Sequence, residues 1–181
     1  MPADTTTLAF DFTPGLLSLG HLIIGILVLV LARLFKDWLS PYNTQSELTE
    51  KDNPAFGLAL AGYYGAVVVI YIAVVRALPA MDLTPVALLS GYGADLGWSV
   101  AGIAGLAFSR WLMDGFLMGT THFSDEIVRA RNTAAGAVEC GVYLACGVVL
   151  AGVLREPGGT FLTIGVFFLL GQGMLLLLGR V

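Results

Sequence analysis

Five apolar runs, at about 14–35, 54–78, 94–113, 133–154 and 160–178, alternate with short polar breaks. Each run approaches the roughly 20 residues that a helix needs to cross the hydrocarbon of a bilayer. The pattern predicts an all-α, polytopic membrane helix bundle of about five transmembrane helices. The second run starts abruptly at Asp52-Asn53-Pro54. Asn53 suits an N-cap, and Pro54 suits the first helical position, where no backbone N–H is needed. Residues 36–52 are the most polar stretch, with spacing that allows a short surface helix, and 120–131 form a second polar loop. Between them, Pro79, Pro85, Gly91 and Gly93 argue against a continuous helix over 79–92, so a short interfacial helical turn is expected there.

The runs are related. Aligned at the asparagines, Asn53 pairs with Asn132, Gly57 with Gly136, Gly62 with Gly141 and Tyr64 with Tyr143. In the first run, Leu19-Gly20-His21 and Gly25 precede Arg33 and Asp37. In the third, Leu96-Gly97-Trp98 and Gly102 precede Arg110 and Asp114. Successive copies share orientation, which predicts an internal parallel two-helix repeat. The expected organisation is an extracytoplasmic tail over 1–13, a first membrane repeat over 14–92, a second over 93–159 and a final transmembrane helix over 160–181.

Composition agrees with hydrocarbon as the solvent: 57% of residues are hydrophobic and 12% charged. The net charge of −4 offers no basic footprint, so no nucleic-acid partner is expected. No Lys or Arg precedes Arg33, so the first run lacks the positive flank of a signal peptide and is expected to be retained. Arg33, Lys36, Lys51, Arg110, Arg129, Arg131 and Arg180 fall on one side of the membrane, Arg76 and Arg155 on the other. The positive-inside rule then puts the N-terminus outside and the C-terminus in the cytoplasm. Cys140 and Cys146 point to different faces of one helix and are read as packing residues, with no metal or other cofactor expected.

Asp52-Asn53-Pro54-Ala55 before one glycine-rich span, with Asn132-x-Ala134-x-Gly136-x-x-Glu139-x-Gly141-x-Tyr143 in its partner, resembles the YjfL-type bacterial inner-membrane family, a domain of unknown function. The resemblance covers most of the chain. It implies a bacterial inner membrane and a small helical fold, and carries no catalytic residues.

Glu139 is the most informative single residue. It lies about two turns into the fourth span, roughly 10 Å from the boundary at 1.5 Å per residue. A carboxylate there should face the bundle interior, be protonated or touch water. Gln172 sits at similar depth in the fifth span. The two could form a proton or cation site, or a neutral hydrogen bond that joins helices. His21, in the outer half of the first span, is a further polar candidate, expected to make a packing hydrogen bond, for instance to Ser99. Arg33–Asp37 and Arg110–Asp114 are expected as i,i+4 pairs at the interface, with lipid phosphate as a second role. Asn53 and Asn132 are helix caps or an anion site. Gly57, Gly62, Gly136 and Gly141 are expected to let helices approach closely. Tyr63, Tyr64, Tyr71 and Tyr143 should turn their hydroxyls inward or to an interface. With no convergent catalytic set, the expected function is a non-enzymatic membrane module that forms homo-oligomers or binds a membrane-protein partner. The alternative is a small channel or transporter for protons, cations or a small solute, using Glu139 and Gln172.

Overall fold

The computed structural model describes residues 13–40, 42–77, 83–117, 124–154 and 161–179. Among them are five α-helices: α1 Thr13–Leu39, α2 Pro54–Ala77, α3 Pro85–Leu117, α4 Thr133–Leu154 and α5 Phe161–Gly179. Single π-helical turns, Ser46–Glu50 and Asp125–Arg129, precede α2 and α4. The chain is an all-α bundle. Three helical stretches, Gly15–Leu39, Pro54–Ala77 and Thr133–Leu154, are long and apolar enough to cross a membrane. The apolar stretch of α5, Leu162–Leu178, is shorter, and α3 is interrupted by Asp95, Arg110 and Asp114.

One boundary differs from expectation. Residues 85–92 are not an interfacial turn but the first two turns of the 33-residue α3. Thr84 makes this possible: its Oγ1 caps the Ala87 N–H at 3.3 Å, and Pro85 takes the position where its missing donor costs nothing. Gly91 and Gly93 are absorbed within the helix. The division at 92/93 therefore falls inside α3. Residues 79–82 lie outside the described residues, as do the N-terminal tail before Thr13, Arg155 and Arg180.

Neighbouring helices in sequence run antiparallel. Tyr63 of α2 donates to Ala32 O of α1 at 2.9 Å, and Tyr71, two turns on, reaches back to His21 O. Helices α1 and α3 run parallel, with Leu17 beside Tyr92 and His21 beside Asp95. Helices α2 and α4 also run parallel and share the most extensive helix–helix contact. Small residues explain it. A Cβ on Gly62 would lie 2.5 Å from Cys140 Cα, one on Gly136 would strike Ala55 O, and one on Gly147 would lie 2.8 Å from Ala66 Cβ. Gly57 makes only ordinary contact with Leu48, and Gly141 faces open space, so the expected close approach holds for two of those four glycines. The core between the helices is apolar, built from Val28, Val67, Ile70, Ile103 and Leu106. Apolar side chains of α1 and α5, among them Leu22, Ile26, Leu170 and Leu177, cover the outside.

The two π turns match position for position. Asn53 N bonds to Glu47 O at 3.0 Å and Asn132 N to Glu126 O at 2.9 Å. Asn53 Nδ2 donates to Glu47 Oε2, and Asn132 Nδ2 to Glu126 Oε2, each at 3.2 Å. The residues just before, Asp52 and Arg131, both take positive φ, 46° and 51°. This left-handed step, unfavourable for Arg above all, turns the chain from the π turn into the helix.

Candidate ionic site

The site is assembled from all four of the first helices. Antiparallel packing of α3 and α4 brings Arg110, near the end of α3, against Glu139, two turns into α4. Arg110 Nε donates to Glu139 Oε1 at 2.7 Å. Helix α1 adds Lys36, whose Nζ lies 3.9 Å from the same oxygen and donates to the Tyr143 hydroxyl at 2.9 Å. The ammonium also faces two aromatic rings, 5.1 Å from the Tyr143 centroid and 5.5 Å from that of Tyr63 on α2. The two rings meet edge to face, 5.3 Å apart. Lys36 is 8% exposed and Glu139 4%. A charge so buried is tolerable only when paired and hydrogen-bonded, which this geometry provides for Lys36 and Glu139, while Arg110 Nη2 is buried without a partner. Beside the cluster lies a cavity of about 230 Å³, lined by Lys36, Tyr63, Arg110, Trp111, Asp114 and Tyr143 among others.

A second polar pair bridges α1 and α3 in the other half of the bundle. His21 Nδ1 lies 2.9 Å from Oδ2 of Asp95, a residue with no solvent exposure. The Tyr92 ring packs edge-on against the imidazole, with centroids 5.3 Å apart. Ser99, the expected partner of His21, instead donates to Asp95 O at 2.6 Å. The apolar core separates this pair from the Lys36–Arg110–Glu139 cluster.

Gln172 does not join Glu139. Its Oε1 accepts from Cys146 Sγ at 3.6 Å, and its Nε2 is buried without a partner. Glu139 and Cys146 share one face of α4, so the separation is one of depth: Gln172 lies level with Cys146, about two turns along α4 from Glu139. Arg33 and Asp37 form the expected pair at 3.8 Å on the surface. Arg110 gives its Nε to Glu139, and Asp114 lines the same cavity as Arg110. Asn53 and Asn132 both cap: Asn53 Oδ1 accepts from Phe56 N at 3.3 Å, and Asn132 Oδ1 from Ala134 N at 3.1 Å. The carboxylates of Glu47 and Glu126 already bond to these asparagines, so the chain supplies its own anion there. Asn53 also donates to Ile127 O at 2.9 Å, and Arg131 reaches Lys51 O, which ties the two turns together. Outside the helices, the Lys51 ammonium bonded to Glu47 at 2.6 Å holds that carboxyl below the usual range, against the opposing effect of burial.

Lys36 and Asp95 are the site residues that sequence reasoning missed. Lys36 reads as an ordinary boundary cation. Its signal is its register, four residues after Ala32 and eight after Val28, which puts it on the face of α1 that packs into the bundle. Asp95 reads as a span-edge residue only while α3 is started near residue 94; a start at Pro85 puts it three turns deep.

An all-helical bundle with membrane-length apolar helices and ionisable groups buried between them defines the class: a helical protein of membrane type. A family model described as Domain of Unknown Function (DUF350) matches residues 11–154, and the chain belongs to that family. Neither a curated protein nor a solved structure matches the chain.

Proposed function

We propose that this is a non-enzymatic, five-pass protein of the bacterial inner membrane that carries a small cation or solute, with Glu139 at its binding site. The observation that carries the reading is the convergence of Lys36, Arg110 and Glu139 from three helices beside a cavity. Ionisable groups held inside a membrane bundle are costly and are characteristic of transport pathways. The apolar core between this cluster and His21–Asp95 favours a gated carrier over an open pore, since an ion crossing it would be stripped of water. The alternating direction of α1 to α5 supports five passes. The matched π turns and the parallel pairs α1/α3 and α2/α4 support an internal parallel repeat. Lys51, Arg129 and Arg131 cluster where α1 and α3 end and α2 and α4 begin, which supports a cytoplasmic location for that end and an outside N-terminus. The test is flux in proteoliposomes, for protons, alkali cations and small solutes in turn. Glu139→Gln leaves Arg110 and Lys36 without their counter-charge and should lower stability, so flux is read only from variant protein that circular dichroism shows to be folded, where transport should be lost; undiminished flux in that folded variant would refute the site.

A second reading, a module that homo-oligomerises or binds a membrane partner, draws on one face of α4. Ala137 and Gly141 lie exposed one turn apart, with open space beyond Gly141. Small residues so spaced suit close helix–helix contact between proteins in lipid. Gly141→Leu should then reduce the mass seen by native mass spectrometry; a wild-type monomer without a bound partner would dispose of this reading.

A further inference from the structure

We propose that Lys36 is a tethered occupant of a recognition site for a small organic ammonium ion, which an external ammonium enters by displacing the lysine into the neighbouring cavity. This deepens the carrier reading and rests on it for its physiological role. The argument is the chemistry of what surrounds the Lys36 Nζ. Two aromatic faces at 5.1 and 5.5 Å, a phenol oxygen at 2.9 Å and a carboxylate oxygen at 3.9 Å make a cation cage, not a generic salt bridge. Aromatic cages of this kind recognise ammonium ligands because ring quadrupoles attract a weakly hydrated cation.

The charge count points the same way. Lys36 and Arg110 balance Glu139 and Asp114 around the cavity. Arg110 is held to Glu139 at 2.7 Å and its guanidinium is part of the wall. Lys36 is different: its ammonium ends a flexible four-carbon stem. Once it swings out, the two rings and the Tyr143 hydroxyl lose the cation they face, and a single monovalent cation can take its place. The cavity gives it room, since Tyr63 and Tyr143 of the cage line the same space of about 230 Å³ as Lys36 itself. That volume is below the roughly 300–1,000 Å³ of pockets for drug-sized ligands, so the occupant is small. The largely exposed Trp111 lines the cavity too, and offers a cation an aromatic face on the way in.

Two measurements on the full chain in lipid nanodiscs test this. In Lys36→Ala the cage is vacant, and n-butylammonium should raise the thermal midpoint saturably, whereas n-butanol and sodium chloride should not. The effect should vanish in Lys36→Ala/Glu139→Gln. In the wild type, which needs no variant to fold, acylation of Lys36 followed by mass spectrometry should increase several-fold with tetramethylammonium over equal sodium. Lys51, the one other lysine and half exposed, serves as the internal reference. Absence of saturable stabilisation in a folded Lys36→Ala, or unchanged Lys36 labelling in the wild type, overturns the proposal. Ammonium binding without flux would instead end the carrier reading and leave the cage standing.

Discussion

Gly62 and Gly141 occupy equivalent places in the two related segments, yet replacing each by alanine should have opposite effects. A methyl on Gly62 would sit 2.5 Å from Cys140 Cα, 2.7 Å from Cys140 O and 2.8 Å from its Sγ. Two of those three atoms are backbone of the adjoining α4, so no rotamer change relieves the clash. Overpacking costs about 1–3 kcal/mol, and a backbone obstacle puts this case at the upper end, about 3 kcal/mol. Alanine returns about 1 kcal/mol of helix propensity, for a net loss of about 2 kcal/mol. At Gly141 nothing lies within 4 Å, so only the favourable part remains. The two variants should therefore differ by about 3 kcal/mol, roughly a hundredfold in the folding equilibrium constant. Reversible unfolding by sodium dodecyl sulfate in mixed micelles, followed by circular dichroism, measures it. Equal midpoints for the two variants would refute the asymmetric packing of α2 on α4 described above.

The capping asparagines should also separate. Asn53→Ala removes a cap and strands the buried Ile127 carbonyl, for about 2–3 kcal/mol, whereas Asn132→Ala on the surface should lose about 1 kcal/mol, both read by the same unfolding titration. Glu47, whose carboxyl is held below its ordinary range by Lys51, binds protons less readily when folded than when unfolded. Its contribution is therefore complete above the ordinary carboxylate range and is lost as pH falls through its depressed value, so the gap in melting temperature between wild type and Glu47→Gln should be constant at neutral pH and shrink in acid.

The helices were legible because hydrocarbon demands long apolar runs, and Asn53-Pro54 marked the start of α2 to the residue. The start of α3 was not, since prolines and glycines between 79 and 93 outweighed Thr84, whose capping role depends on which proline begins the helix. Glu139 was identified from depth alone. Its partners were not, because Arg110 has a perfectly good local partner in Asp114, and only the antiparallel packing of α3 on α4 brings Glu139 within its reach. Periodicity ranks residues by distance along one helix; the ionic site depends on the relative rotation of several. The glycines illustrate the same limit, for equivalent positions in sequence met a backbone in one copy and open space in the other.

Running α2 and α4 side by side in one direction has an electrostatic consequence. Their peptide dipoles add rather than cancel, and two partly positive ends are held together at a single level. Each π turn carries a remedy, a glutamate hydrogen-bonded to the asparagine that caps its own helix. Glu126, and Glu47 which also holds Lys51, thus place carboxylates at a packing arrangement that an antiparallel pair would never have required.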